Sequence, residues 1–218
     1  MSNQIKLRNF SFPSSGTVLN NSNFSASSGD IIIISGPSGV GKSTLLNALG
    51  LLSETQNIDY QFFNHTVNQL DEKEKAAMRN QLIGFVFQSH HLIEDLSAID
   101  NVLLPTQYTS QCPNYIDKGH ELLDLFLIKQ HDEPAYLLSY GQQQRVAIAR
   151  ALLLSPKVIL ADEPTSGLDQ LHSEIVFNYF KQAADEGSIV IVSTHDPFIL
   201  QQCAKHYAIK DKQIYAKN

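Results

Sequence analysis

The sequence lacks the features that mark secreted and membrane proteins. Its two cysteines, Cys112 and Cys203, are too few and too far apart for a disulfide framework or a zinc motif. No apolar run approaches the roughly 18 residues that a membrane helix requires. Residues 1–12 contain no apolar stretch of signal-peptide length. We therefore expect reduced thiols and a cytosolic compartment.

Positive charge is also scarce. The 16 Lys and Arg residues are outnumbered by 22 Asp and Glu residues, which gives a formal net charge of −6. Because a nucleic-acid-binding surface must neutralise phosphates, this balance argues against nucleic acid as a partner. The sequence has no internal repeat, and its 218 residues are enough for one domain with a substantial core. We expect a single domain over residues 1–218.

Four short runs rich in Ile and Val indicate buried strands. Their apolar residues are consecutive rather than alternate, as in strands covered on both faces. The runs are residues 31–35, 84–88, 158–162 and 188–195. Helical patterns lie between them, at residues 42–50, 117–130 and 142–154. Strands that alternate with helices predict an α/β fold with a mostly parallel core sheet.

Two parts of the chain have a different pattern. The first 30 residues contain weakly alternating strands joined by turn formers, which predicts an N-terminal antiparallel β subdomain. Residues 90–137 contain no clear strand. We therefore expect an inserted helical subdomain, at approximately residues 89–155.

The segment GPSGVGKST, residues 36–44, fits the phosphate-loop pattern G-x-x-x-x-G-K-[ST] between a strand and a helix. Its glycines allow successive backbone N–H groups to point at phosphates. Lys42 would reach the β and γ phosphates, and the Ser43 hydroxyl would hold Mg²⁺ beside the positive end of the helix. The pattern predicts nucleotide binding, but kinases, GTPases and ATPases share it.

Polar residues end three of the predicted strands. Asp162 and Glu163 follow the run VILAD, Gln88 ends GFVFQ, and His195 ends SIVIVSTH. Ligands of open α/β sheets bind at the carboxyl edge of the strands, so Asp162 can meet Mg²⁺ and Glu163 can polarise water against the γ phosphate. Each residue alone would also fit an ordinary surface or structural position. Together with the phosphate loop they favour a catalytic site.

The segment LSYGQ contains the capping-box pattern S-x-x-Q. Ser139 would accept a hydrogen bond from the Gln142 N–H while the Gln142 side chain reaches back. A well-capped helix is sufficient to explain this pattern. The N-terminus of such a helix also favours anions, so a phosphate-binding role builds on the cap.

The order of these motifs resembles the nucleotide-binding subunits of ABC transporters. The matching segments are GPSGVGKST, GFVFQ, LSYGQQQRVAIARAL, VILADEP, SGLD and STHD, which span nearly the whole chain. The resemblance implies a P-loop NTPase fold of the ABC type, ATP and Mg²⁺ as cofactors, and ATP hydrolysis coupled to transport. It also implies a homodimer that closes head to tail around two ATP molecules.

The resemblance implies roles for individual residues. Phe12 would stack on adenine, with Phe10 as the rival position. The phosphate loop would hold ATP through Gly36, Pro37, Ser38, Gly39, Val40, Gly41, Lys42, Ser43 and Thr44. Glu163 would be the general base, and His195 and Gln88 would complete the catalytic set. The metal would be held by Ser43, Gln88 and Asp162.

A second group would act across the dimer. Asp169 would communicate between the subunits. The signature residues Ser139, Tyr140, Gly141 and Gln142 would face the ATP of the partner subunit. The family has glycine where Tyr140 stands. If Ser139 is the N-cap, Tyr140 is the first helical residue and needs no glycine-only backbone angle, so we expect it to tune the ATPase rate or the dimer interface without abolishing either.

Residues 79–105 resemble the lipoprotein-releasing and macrolide-exporter branch, whose partners are integral membrane permeases with large periplasmic domains. This implies a peripheral location on the cytoplasmic face of the inner membrane and a role in export or in lipoprotein or peptide extrusion. Amino-acid importers and complexes that transmit force to a periplasmic domain are alternatives, and a soluble DNA-repair ATPase is a third. We expect His90 and His91 to lie on the surface of the helical lobe and not to bind metal.

Overall fold

The computed structural model describes residues 4–10, 22–53, 58–109, 114–202, 205–210 and 213–217. The strands in these ranges are β1 (Gln4–Phe10), β2 (Ser22–Ser27), β3 (Ile31–Ser35), β4 (Asp59–Phe62), β5 (His65–Thr66), β6 (Ile83–Val86), β7 (Val158–Asp162), β8 (Ile189–Ser193), β9 (Lys205–Lys210) and β10 (Gln213–Lys217). The α-helices are α1 (Lys42–Leu49), α2 (Glu72–Leu82), α3 (Ala98–Leu103), α4 (Tyr115–Leu125), α5 (Tyr140–Leu152), α6 (Gln170–Asp185) and α7 (Pro197–Leu200).

A six-stranded sheet in the order β10-β9-β3-β8-β7-β6 forms the centre of the molecule. Its strands pair in parallel except β10, which pairs antiparallel with β9. All four predicted strands are present. Every residue of β7 and β8 is buried, which confirms that consecutive apolar residues indicated strands covered on both faces. Two strands end earlier than predicted, so Gln88 and His195 each lie two residues beyond the strand end.

The two faces of this sheet bury separate sets of side chains. Along β3, Ile32 and Ile34 pack with α1 and the N-terminal sheet, whereas Ile33 packs with α5 and α6 on the opposite face. All three isoleucines are fully buried, and burial of each contributes about 1.5–3 kcal/mol. The central strands are therefore fixed from both sides, and their carboxyl ends form a rigid edge.

A four-stranded antiparallel sheet in the order β2-β1-β4-β5 confirms the predicted N-terminal β subdomain. The segment 58–69 is poor in glycine, and its sequence alone predicts no clear local structure. It forms the β4–β5 hairpin, in which Phe63 takes a φ of 52° at a position where glycine is common. The Phe63 ring packs against Phe62 with 4.8 Å between ring centroids. A positive φ is unfavourable for an aromatic residue, and the ring contact with Phe62 is made in this conformation.

Between β6 and β7 the chain forms α3, α4 and α5 together with two 3₁₀ turns, Leu104–Tyr108 and Ala135–Leu137. The buried Asn101 fixes the start of this segment, because its side-chain amide donates to the carbonyls of Ile93, Leu96 and Ser97. Among the described residues, no helix combines the length and the apolar character needed to cross a bilayer.

Candidate functional site

The phosphate loop joins the buried end of β3 to the first turn of α1. Its first glycine, Gly36, has a φ of 154° and lies against β9. A Cβ atom there would stand 2.7 Å from the Ile209 carbonyl oxygen and 2.9 Å from the Val40 side chain. Since the carbonyl belongs to a paired strand and cannot move away, only glycine fits at this point.

Lys42 closes the mouth of this loop. Its ammonium donates to the Gly36 carbonyl at 2.9 Å and to the Pro37 carbonyl at 3.2 Å. These carbonyls place the charge beside the backbone N–H groups of the loop. The loop and the first turn of α1 therefore present donors and positive charge to one concave space, which suits a chain of phosphates.

A cleft of about 570 Å³ brings together residues that are far apart in the sequence. It is lined by Gly36, Pro37, Ser38, Gly39, Gly41, Lys42, Ser43, Thr44, Gln88, Asp162, Glu163, Ser166 and His195. The predicted loop residues and the predicted strand-end residues thus meet at one edge of the sheet. Val40 differs from this expectation, because its side chain packs against the core and does not line the cleft. Ser166 lines the cleft and was not predicted.

Asp162 and Glu163 are held in different ways. Asp162 is buried and accepts a hydrogen bond from the hydroxyl of Ser193 on the neighbouring strand. Glu163 donates its backbone N–H to the Ser193 carbonyl at 2.9 Å and has a φ of 51°, an uncommon angle for a residue with a side chain. The Glu163 carboxylate lies 3.0 Å from His195 Nδ1. Its side chain is 12% exposed, against 83% for His195, so the histidine covers the carboxylate from the solvent side.

Thr165 and Asp196 join the two segments that carry Glu163 and His195. The Thr165 hydroxyl donates to the Asp196 carboxylate at 3.0 Å, and that carboxylate also caps α7 by accepting from the Phe198 N–H. Sequence reasoning missed this link. The only available signal was the position of each residue two or fewer places from a predicted site residue.

The segment that follows Gln88 is held by an arginine of α5. Arg150 donates to the His90 carbonyl at 2.7 Å and to the His91 carbonyl at 2.6 Å. Its planar guanidinium makes both bonds at once. His91 is exposed as predicted, but His90 is partly buried, and this burial lowers the pKa of its imidazole.

The signature segment forms the predicted capping box at the start of α5. The Ser139 N–H donates to the Gln142 side chain at 2.8 Å, and the Gln142 N–H donates to the Ser139 hydroxyl at 3.4 Å. Tyr140 is the first helical residue, as predicted. None of Ser139, Tyr140, Gly141 and Gln142 lines the phosphate cleft described above. Ser139 and Tyr140 are exposed, so this helix start is accessible to another molecule.

Asp169 caps α6 outside the phosphate cleft. Its carboxylate accepts from the His172 N–H at 2.9 Å and contacts His172 Nδ1 at 2.7 Å. The backbone bond, followed by the side-chain bond, lowers the pKa of Asp169. Phe12 lies outside the described residues, and the side chain of Phe10 is not described either, so the adenine contact stays a prediction.

The donors at the cleft suit Mg²⁺. Ser43, Gln88 and Asp162 supply a hydroxyl, an amide oxygen and a carboxylate, which are the hard oxygen ligands that this ion prefers. Within the described ranges, no cluster of three or more His, Cys, Asp or Glu residues forms an all-protein metal site. This agrees with the way Mg²⁺ is usually held, by one or two protein oxygens together with phosphates and water.

Comparison with known proteins gives a consistent result. The family profile described as ABC transporter matches residues 19–166. The macrolide export ATP-binding/permease protein MacB of Psychrobacter arcticus is 41% identical over 203 residues, covering 91% of this chain and 30% of that protein. An uncharacterised ABC transporter ATP-binding protein of Methanocaldococcus jannaschii is 37% identical over 198 residues, covering 90% of this chain and 88% of the relative. The chain thus spans about a third of the length of the macrolide-export relatives that it matches.

Two solved structures are similar over almost the whole chain. One is a dimeric ATP-binding cassette in a post-hydrolysis state bound to ADP and Pi, which is 33% identical with a TM-score of 0.89 and coverage of 98% of both chains. The other is a dimeric bacterial ABC transporter cassette, which is 34% identical with the same TM-score and the same coverage.

Proposed function

Since this chain belongs to the ABC transporter family and is an ABC-type ATPase, we propose that it works as half of a homodimer whose ATP hydrolysis drives an export permease. The observation that carries the proposal is the cleft in which the phosphate loop meets Asp162, Glu163, His195 and Gln88. The exposed start of α5 lies outside this cleft and is available to a second subunit.

Glu163 is the proposed general base. Glu163 directly follows the buried strand β7, and His195 shields its carboxylate. This carboxylate can accept the proton of a water molecule as the water oxygen attacks the γ phosphorus. The bond between that phosphorus and the β–γ bridging oxygen breaks, and ADP leaves with the electron pair. His195 is 83% exposed, so it can turn from Glu163 toward the γ phosphate.

Ser43, Gln88 and Asp162 are the residues proposed to hold Mg²⁺. When bound, the ion neutralises negative charge on the β and γ phosphates. The hydrogen bond from Ser193 orients the Asp162 carboxylate at the strand end. Arg150 fixes the backbone two and three residues after Gln88.

The signature segment is proposed to complete the ATP site of the partner subunit. The start of α5 offers the Ser139 hydroxyl and free N–H groups at the positive end of a 13-residue helix. Both similar structures described above are dimeric. Asp169, at the start of α6, is proposed to lie near the same interface.

An apolar groove of about 820 Å³ is the proposed docking site for the membrane partner. It lies between α2, β6, the 3₁₀ turn Leu104–Tyr108 and the end of α5. Its apolar side chains are Leu52, Ala76, Ala77, Ile83, Phe85, Phe87, Leu104, Pro105, Tyr108, Ala151, Leu154 and Pro156. Tyr108 is 80% exposed. The relatives named for macrolide export combine an ATP-binding and a permease part, and a helix of such a permease would cover this groove at the cytoplasmic face of the membrane.

The test of the proposed chemistry is Glu163→Gln. We expect ATP binding to be retained and turnover to fall roughly 10²- to 10⁴-fold, the usual contribution of a positioned general base. Glu174→Gln, on α6 outside the cleft, is the matched control and should leave turnover unchanged. Turnover in Glu163→Gln equal to that of the wild type would contradict the role of this residue.

The test of the proposed partner is co-purification from membranes. We expect a permease with a large periplasmic domain to be recovered with the wild type and lost with Tyr108→Arg. Recovery of an importer-type permease would overturn the export assignment.

A further inference from the structure

The Tyr140 side chain packs back onto its own subunit. A Cβ atom built on Gly167 would stand 2.5 Å from Tyr140 Cε1 and 2.6 Å from Cδ1, so the tyrosine ring rests directly on the bare backbone of that glycine. The ring also meets the His90 imidazole, with 4.4 Å between centroids and an interplanar angle of 65°. This is the edge-to-face arrangement that aromatic rings prefer.

The three residues belong to three different functional segments. Tyr140 begins α5 within the signature. Gly167, with a φ of 75°, lies in the turn between Glu163 and Asp169. His90 follows Gln88 by two residues. One aromatic side chain therefore contacts the loop after the proposed base and the segment after the proposed metal ligand.

Neighbouring contacts strengthen the same junction. A Cβ atom on Gly141 would lie 3.2 Å from the Gly167 carbonyl oxygen, so the signature backbone is also close to this turn. The Gln144 amide donates to the Pro164 carbonyl at 3.0 Å, directly after Glu163. His90 Nε2 and Gln144 Oε1 are both buried without a hydrogen-bond partner among the described residues. The ring of Tyr140 thus packs beside the buried polar groups of His90 and Gln144, while about half of the tyrosine stays exposed.

We propose that Tyr140 is a positioning residue that couples the signature segment, within one subunit, to the turn at Gly167 and to the segment after Gln88. This inference rests on the proposed function, because it states which parts of the ATPase site move with the signature. A change in the contact between the signature and the partner's ATP is then passed through the Tyr140 ring to the segments that carry Glu163 and Gln88.

The first experiment is a double-mutant cycle between Tyr140→Gly and Gly167→Ala, read out as ATP turnover and as thermal unfolding. Gly167→Ala adds a methyl group in the space of the ring and at a positive φ, and we expect turnover to fall about tenfold, the effect of 1.4 kcal/mol on a rate. In the Tyr140→Gly background the steric part disappears. We therefore expect Gly167→Ala to cost less than about threefold there.

Gly29→Ala is the matched control for this cycle. Gly29 has a φ of 84°, and a Cβ atom there would have only an ordinary contact of 3.6 Å. The backbone cost is similar, but Tyr140→Gly should not relieve it. If Gly167→Ala has the same cost with and without Tyr140, the two residues are not coupled and the inference is wrong.

The second experiment separates positioning from folding. We expect Tyr140→Gly to lower kcat several-fold with KM for ATP changed less than about twofold, because the ring packs back onto Gly167 and His90 of its own subunit and Ser139 and Gly141 remain to contact the partner's ATP. Tyr140→Phe keeps the ring and should restore most of the lost kcat. A glycine variant that turns over ATP faster than the wild type would overturn the inference, since the ring would then obstruct the site.

The two proposals fail in different ways. If neither the wild type nor Tyr140→Gly hydrolyses ATP, the proposed function fails. Thermal unfolding of the same four variants still measures the contact between Tyr140 and Gly167 in that case.

Discussion

The phosphate cleft and the signature segment are the two regions of this chain proposed to face a nucleotide, and they are built differently. In the cleft, single residues are dictated by backbone geometry: a side chain at Gly36 would meet the Ile209 carbonyl at 2.7 Å. In the signature segment, Tyr140 stands where the family pattern has glycine, and its ring packs against Gly167 and His90. The rigid backbone contact at Gly36 leaves no room for a side chain, whereas the exposed start of α5 accommodates the large side chain of Tyr140.

Of the three substitutions that compare the two regions, Lys42→Ala should have the largest effect. It removes the positive charge at the centre of the cleft and leaves the signature segment unchanged. Lys42→Ala should weaken ATP binding roughly 10- to 100-fold, because hydrogen bonds to charged groups contribute about 1.5–3 kcal/mol. Calorimetric titration with ATP measures this effect. The exposed Lys73→Ala is the control. Unchanged affinity in Lys42→Ala would mean that the cleft does not bind the phosphates.

Arg150→Lys should have a smaller effect on ATP turnover, and it tests the link between the two regions. Arg150→Lys removes the fork that joins α5 to the carbonyls of His90 and His91. We expect turnover to fall about fivefold, which corresponds to roughly 1 kcal/mol of lost positioning, with ATP affinity unchanged. Steady-state kinetics and equilibrium titration of the same sample provide both numbers. A parallel loss of affinity would show that Arg150 supports the phosphate loop as well.

Ser139→Ala should have the smallest effect, and it tests whether the N-cap of α5 also acts in ATP turnover. Ser139→Ala should cost about 1 kcal/mol of unfolding free energy, as loss of a helix N-cap does, and should also lower turnover. Asp71→Ala removes the equivalent capping box of α2, outside both regions. It should cost similar stability in urea unfolding without changing turnover. Equal turnover in the two variants would show that Ser139 only caps the helix and has no role in ATP hydrolysis.

Local sequence pattern was sufficient to predict much of this architecture. Residues 31–35 and 158–162 are consecutive apolar runs because both faces of those strands are buried, and parallel strands bring their carboxyl ends to one edge. This is why Asp162, Glu163, Gln88 and His195 could be placed together. The strands β9 and β10 were missed, because β9 is only partly buried and its polar and apolar residues are mixed.

Contacts between distant segments could not be predicted. The hydroxyl of Thr165 meets Asp196 31 residues away, and His90 meets Tyr140 across a helical subdomain. No local period encodes such pairs. The side chain of Val40 packs on the core and does not line the cleft, because a motif gives the order of residues but not the direction of each side chain. Its contact with ATP stays a prediction.

The contact between Gly36 and Ile209 has a consequence for how the protein is made. During synthesis the glycine-rich loop leaves the ribosome long before residue 209, because the strand that forms its back wall follows much later in the sequence. The newly made loop therefore lacks one side until β9 pairs with β3. The site that the phosphate loop lines is therefore complete only after residues 205–210 have joined the sheet.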